Sequence, residues 1–235
     1  MSDITSEIEA GLSAMGITHG ALDVASLARH LELVAEANVQ FNLTTIPQAD
    51  SVALHVLDSA SALATLSEAP EGEFADLGSG AGFPGIPLAL LGRRPVTLVE
   101  SVKKKAAFLE RVVAELRLEA SVRGVRAEEL AQDRPGHYAA VTARALSALP
   151  SLVELASPLL IDDGLLICLK GEPDAAELLR GEAAARRCGM KALGTTVVEV
   201  PGVDARRTIV VYRRTGRVGI SLPRRNGMAQ RQPLA

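Results

Sequence analysis

A glycine-rich run, FADLGSGAGFPGIP (residues 74–87), holds the residue types and spacing that most directly imply chemistry. It reads in two registers. From Gly80, the letters GAGFPG satisfy the G-x-G-x-x-G fingerprint of a dinucleotide site, whereas from Asp76 the run is acid-x-Gly-x-Gly-x-Gly, the usual form of an S-adenosylmethionine loop. Either ligand needs a turn at a strand's C-terminal edge where backbone can approach closely, and an acid on the next strand to receive ribose hydroxyls. Gly78, Gly80 and Gly82 supply the turn, and Glu100, ending VTLVE, lies 24 residues beyond Asp76. Asp76 separates the registers. The dinucleotide reading runs the strand to Ser79 and buries Asp76 without a partner, which is costly. The S-adenosylmethionine reading ends the strand at Asp76 and turns that acid toward the cofactor's polar end. Further on, VRAEEL offers Ala127 and Glu128, a backbone N–H and a carboxylate able to read an adenine edge.

Other chemistries lack their residues. The sequence has no H-E-x-x-H pair, no N-P-P-Y-like motif and no Ser-His-Asp set, and Cys168 and Cys188 stand alone, as packing residues in a reducing cytosol would. No metal is expected.

The elements that position the loop follow from periodicity. Up to about residue 67 the pattern is helical, with Ile4, Ile8, Leu12 and Met15 on one stripe and Leu27, Leu31 and Val34 on another. Thr45-Ile46-Pro47-Gln48 announces a third helix, with Thr45 as N-cap, and SEAPEGE (67–73) reads as a linker. From residue 74, short apolar strands alternate with helices: strands are expected at 74–77, 96–100, 121–125, 140–143 and 165–170, with helices at 102–116 and 174–188. Two last strands, 195–200 and 207–213, are joined only by PGVDAR and must pair antiparallel. The fold class is therefore α/β, a Rossmann-like, mostly parallel sheet with one antiparallel strand, of the class I methyltransferase kind, plus a small N-terminal helical subdomain. The expected divisions are a helical cap (1–67), a cofactor-binding domain (74–214) and a basic tail (215–235). With 235 residues and 48% hydrophobic content the chain can bury a sizeable core. Without a signal-like N-terminus or a membrane-length apolar run, it is expected in the cytoplasm.

Charge is polarised along the chain. Residues 1–75 carry eleven acids against Arg29, while residues 201–235 carry eight arginines against Asp204. Such a chain can repel a polyanion at one end and hold it at the other, so Arg213, Arg214, Arg217, Arg224 and Arg225 are candidate phosphate contacts.

NLTTI (42–46), HVLDS (55–59), DLGSGAGFPGIPLAL (76–90), ES with KKKAAFL (100–109), RAEE (126–129), ARAL (143–146), LKG (169–171) and PRRNGMAQRQPL (223–234) together resemble the GidB, or RsmG, family. Its members are S-adenosylmethionine-dependent methyltransferases acting on guanine N7 of small-subunit (16S) ribosomal RNA. The resemblance implies that Gly78 and Phe83 contact the cofactor, that Glu100 and Ser101 form the ribose-side pair, and that Ala127 and Glu128 form the adenine-side pair. It places Arg144 beside the cofactor, and Asn42, His55 and Asp58 near the guanine. Three departures stand out: Ala37 where the family usually has tryptophan, Ala139 where an aspartate is common, and glutamate rather than aspartate at position 100. Guanine N7 has a lone pair and no proton, so its methylation needs alignment and no general base. A cation can orient the base through O6, and Arg144 and Lys170, at strand ends, are the candidates. Three alternatives remain open at this point: a small-molecule methyltransferase on the same fold, a cofactor- or RNA-binding module without turnover, and, more distantly, a nicotinamide dehydrogenase.

Overall fold

The computed structural model describes residues 2–216 and 218–235. Its N-terminal part is helical: α1 (Ser2–Ala14), α2 (Ala21–Gln40), a 3-10 turn (Gln48–Asp50), a π-type stretch (Val52–Leu57) that runs into α3 (Asp58–Ala60), and α4 (Leu63–Ser67). Strands and helices then alternate through β1 (Phe74–Leu77), α5 (Gly85–Gly92), β2 (Val96–Val99), α6 (Lys103–Leu116), β3 (Ala120–Arg123), α7 (Ala127–Asp133), β4 (Tyr138–Arg144), α8 (Leu149–Ala156), β5 (Leu160–Lys170) and α9 (Ala175–Arg187). The chain closes with β6 (Met190–Val200), β7 (Val203–Arg214) and the short α10 (Met228–Arg231).

The strands form one sheet in the order β3-β2-β1-β4-β5-β7-β6. β1 to β5 run parallel, and β7 inserts antiparallel between β5 and β6. Strand order reverses at β1, whose neighbours are β2 and β4. A crevice therefore opens beyond the C-terminal ends of those strands, where open α/β sheets bind ligands. Both faces of the sheet are covered, so β1 and β2 are buried along their whole length rather than alternating. Phe74, Leu98 and Ile167 face a core shared with Leu12, Leu27, Leu31 and Leu57 of the N-terminal helices and with Ile86 and Leu109. Ala75, Val99 and Leu166 face the opposite core, with Leu130, Leu152 and Ala184. The N-terminal helices thus pack on the sheet's own core.

Two local expectations need correction. Thr45 caps nothing; the loop before the π-type stretch is held by Asn38, whose Oδ1 accepts Leu43 N–H and Thr44 N–H, each at 2.9 Å, and by Thr44, whose Oγ1 accepts Ile46 N–H. The closing hairpin is longer than its hydrophobic pattern. β6 and β7 extend until Val200 pairs Val203, leaving Pro201-Gly202 as the turn, because antiparallel pairing continues through polar residues exposed at a sheet edge. The segment 67–73 is clamped: Arg94 donates to the carbonyls of Leu66, Pro70 and Gly72.

Candidate cofactor and acceptor site

The glycine loop leaves β1 with Gly78, Gly80 and Gly82 at φ of 70°, 55° and 97°, conformations that favour glycine. A Cβ on Gly82 would lie 2.5 Å from Ile86 Cδ1 and 2.9 Å from His30 Nε2, whereas one on Gly80 would meet nothing closer than 3.8 Å and project into open space. The loop's outer edge is tied to β2's end. Glu100 accepts Gly80 N–H at 3.1 Å and Val102 N–H at 2.8 Å, and its carboxylate keeps lone pairs for further donors.

Asp76 lies within β1, over the bounds 74–77 expected for that strand, but its side chain does not turn toward a ligand. Its carboxylate is fully buried, accepting Thr142 Oγ1–H at 2.8 Å and Gly85 N–H at 3.2 Å. Burial pushes this carboxyl up to about 6. The expectation that it contacts the cofactor is therefore corrected: Asp76 braces the loop from behind, and burial alone did not separate the two registers, because the partners exist.

A cleft of about 680 Å³ lies above the loop, lined by Asn42, Thr44, His55, Asp58, Gly78, Gly80, Phe83, Lys105, Arg144, Lys170 and Arg207, among others. A narrow slot of about 50 Å³ continues on the far side of Gly78, among Val99, Ser101, Ala127, Glu128, Leu146 and Gln230. Gly78 is a wall of both.

Arg144, at the end of β4, organises the cleft. Its Nη1 donates to Asp58 Oδ2 and to Leu54 O, both at 2.7 Å, and its Nη2 donates to His55 Nδ1 at 3.2 Å. A guanidinium only donates, so His55 Nδ1 accepts and its proton sits on Nε2, facing Thr44 Oγ1 at 3.2 Å. Burial, with the charge of Arg144 beside it, pushes His55 down to about 3. His55 stacks on Phe83 with ring centroids 4.2 Å apart and planes 9° from parallel, and His30 covers Phe83's other face at 4.4 Å. His30 donates from Nε2 to Ala81 O at 2.7 Å, and burial pushes it down to about 4. Two neutral imidazoles therefore sandwich Phe83. With His30 and His55 stacked on its ring and Arg144 Cζ 5.5 Å from its centroid, Phe83 is a fixed part of the cleft's lining. His55 comes from the π-type stretch, and Asp58 follows it directly at the start of α3; such wider turns are a common device at functional sites.

Several predicted cations are already occupied. Lys170 lines the cleft, where its Nζ pairs with Glu177 Oε1 at 2.8 Å and donates to Ser147 O at 3.3 Å, bonds that compete with the expected role in orienting the base. Arg224 grips buried Glu154 with two bonds of 2.5 Å, and Arg214 donates to the carbonyls of Cys188 and Gly189. Both were expected on phosphates, and both serve the fold instead, because buried carboxylates and helix-end carbonyls need donors. Arg213 and Arg225 are exposed and their side chains bond to no described residue, while Arg217 lies outside the described residues.

The sequence model of the GidB family, described as rRNA small subunit methyltransferase G, matches residues 23–209. This chain belongs to that family. Among curated relatives, it is 38% identical over 217 residues to the ribosomal RNA small subunit methyltransferase G of Roseiflexus castenholzii, covering 90% of this chain and 92% of that one. It is 35% identical over 242 residues to the protein of the same name from Pelotomaculum thermopropionicum, covering 100% of both. Among solved structures, a putative sarcosine dimethylglycine methyltransferase from Galdieria sulphuraria superposes with a TM-score of 0.55 at 12% identity, covering 74% of this chain and 90% of that one. A geranyl diphosphate methyltransferase in complex with GPP and sinefungin superposes with a TM-score of 0.54 at 14% identity, covering 67% and 76%. These structural likenesses establish the class I methyltransferase fold.

Within this GidB-family chain, the structure gathers Asn42, His55, Asp58, Gly78, Gly80, Phe83 and Arg144 at one cleft and Ser101, Ala127 and Glu128 at the adjoining slot. Sequence reasoning missed His30, Thr44, Lys105 and Arg207. Arg207 Nε donates to Asp58 Oδ1 at 2.8 Å, so Asp58 is held by two arginines from β4 and β7. Thr44 carried a signal in the NLTTI motif and Lys105 in the run Lys103-Lys104-Lys105, whose three side chains form no ion pair with a described residue. The isolated cysteines are buried, and burial pushes both thiols up to about 12, in line with packing roles.

Two absences are confined to the described residues. None of their helices is long and apolar enough to cross a membrane, and no group of three or more His, Cys, Asp or Glu side chains could hold a metal ion.

Proposed function

We propose that this chain methylates N7 of a guanine in small-subunit (16S) ribosomal RNA, using S-adenosylmethionine, in the cytoplasm. The observation that carries the reading is the shared wall at Gly78: an elongated ligand crossing that glycine reaches both the slot and the cleft. The donor set suits an adenosyl cofactor. Glu100 has acceptor capacity for ribose hydroxyls, Gly80 leaves room for close approach, and Ser101, Ala127 and Glu128 flank the end where a base would lie.

Bound S-adenosylmethionine supplies a methyl group activated by its sulfonium. The chain's own residues need only orient the acceptor. Arg144 keeps its Nε–H and its second Nη2–H uncommitted, so it can donate to guanine O6 while N7 stays free. Asp58 and His55 fix the plane of that guanidinium. Asn42, exposed at the cleft mouth, is a further polar contact for the entering base. A neutral His55 with its proton turned to Thr44 abstracts nothing, as fits an acceptor that carries no proton.

Lys105 at the cleft, with exposed Lys103 and Lys104 beside it, gives the cleft a cationic rim, and Arg213 and Arg225, exposed away from its lining, are further candidates for phosphates. An open cleft with this rim favours a polyanionic substrate over a small molecule. The test incubates undermethylated small subunits with the protein and labelled S-adenosylmethionine, followed by digestion to nucleosides. The label is expected in 7-methylguanosine; label in any other nucleoside overturns the reading.

A further inference from the structure

The C-terminal segment was expected to be a basic arm. It is instead fastened across the slot at five points. Arg224 spans Glu154 on α8 and donates to Gln232 O at 2.7 Å, drawing residues 224–232 into a closed loop. Glu128 Oε1 accepts Gly227 N–H at 2.6 Å, and Glu129 Oε1 accepts Asn226 Nδ2–H at 2.7 Å, so two successive carboxylates of α7 hold the segment's turn. Ala229 is buried in the core that covers this face of the sheet. Finally, Arg187 donates to Leu234 O.

This fastening brings Gln230 to the slot, whose lining it shares with Gly78, Ala127 and Glu128. Its side-chain amide bonds to no described residue, whereas Glu128, the slot's carboxylate, already has one oxygen engaged by the segment. Adenine presents an amino donor beside a ring-nitrogen acceptor on each of its hydrogen-bonding edges. A primary amide matches that pair with two parallel hydrogen bonds, as glutamine does when it reads adenine in nucleic acids.

We infer that the C-terminal segment is a wall of the cofactor site and that Gln230 is a specificity-determining residue for its adenine, an inference that rests on the reading that adenine occupies the Ser101–Ala127–Glu128 slot. Glu128 then acts on the base partly by holding the segment in place.

The test measures equilibrium binding of S-adenosylhomocysteine, and of its analogue lacking the purine 6-amino group, to the full chain and to Q230A and A127L, with no RNA present. For the unaltered chain, removal of the amino group should weaken binding about 10-fold, the scale of a lost hydrogen bond. For Q230A the parent ligand should bind about 10-fold more weakly, and the amino group's effect should fall to within about 2-fold of none, since the two changes remove one interaction. Gln230 is exposed, so its truncation leaves packing intact. A full amino-group effect retained in Q230A overturns the role of Gln230. A127L, which fills the slot, should abolish binding in either case. Unimpaired binding by a folded A127L overturns the slot reading, and with it the inference.

Discussion

Arg144 on β4 holds Asp58 on α3 at 2.7 Å across 86 positions of the chain, joining the N-terminal helices to the sheet at the mouth of the cleft. Asp58 also accepts from Arg207, so its removal leaves two guanidinium groups facing one another. Asp58→Asn is expected to cost about 2 kcal/mol or more, toward the lower end for breaking a buried pair because both arginines keep some solvent contact. Denaturant unfolding measures it. The same change frees Arg144's plane, so methyl transfer to RNA should fall more than S-adenosylhomocysteine affinity does.

Gly80 and Gly82 separate folding from binding. Gly82→Ala forces a Cβ against Ile86 and the buried His30 at positive φ, and should destabilise the fold by about 2 kcal/mol or more. Gly80→Ala meets nothing closer than Gly78 O at 3.8 Å and costs only the left-handed backbone penalty, about 1 kcal/mol. Its methyl group nevertheless stands in the cleft, so cofactor binding by calorimetry should drop at least about 10-fold while the unfolding midpoint moves little.

Glu100→Ala removes the acceptor for Gly80 and Val102 N–H groups and is expected to weaken S-adenosylhomocysteine binding about 10-fold or more. Glu100→Asp restores the charge on a shorter arm. It should recover part of the affinity, the remaining loss reporting the bond to Gly80 that a shorter side chain cannot span.

Stability should fall on acidification. His30 and His55, pushed down to about 4 and about 3 by burial, are neutral when folded. The stability linked to them is present above their ordinary value near 6.5 and is lost as pH falls from there toward 4 and 3. Asp76, pushed up to about 6, has the opposite sign: its contribution is greatest below its ordinary range near 4 and is lost as pH rises through 6. Two histidines outweigh one carboxyl, so the unfolding midpoint should drop between pH 6.5 and 4, and less steeply in His55→Gln. The rate of bound-substrate methylation should be flat between about pH 6.5 and 8.5, because N7 needs no base.

Arg224 and Arg225 should part company. Arg224→Ala strands buried Glu154 and is expected to cost about 3 kcal/mol, with no change in the salt dependence of RNA binding. Arg225→Ala and Arg213→Ala should each lower the salt slope by about one phosphate and leave stability unchanged. Filter binding across a salt series, read beside unfolding curves, distinguishes them.

The sequence by itself determined the loop, the alternation of strands and helices and the closing hairpin, because glycine spacing and hydrophobic period are local properties of the chain. The family motifs supplied Asn42, His55, Asp58 and Arg144, and the fold brought them together. Only the tertiary structure decided which polar groups were already spoken for. Asp76 found Thr142 and Arg224 found Glu154 across 66 and 70 positions, and even the nearer partners, Gly85 for Asp76 and Glu177 for Lys170, meet only once the chain has turned from strand to helix. A net charge counted along the tail could not reveal that Arg214 and Arg224 are tied into the fold while Arg213 and Arg225 stay exposed, nor that Gln230 lines the slot. Charge and hydrogen-bond partnership depend on distance in space, and the sheet sets that distance.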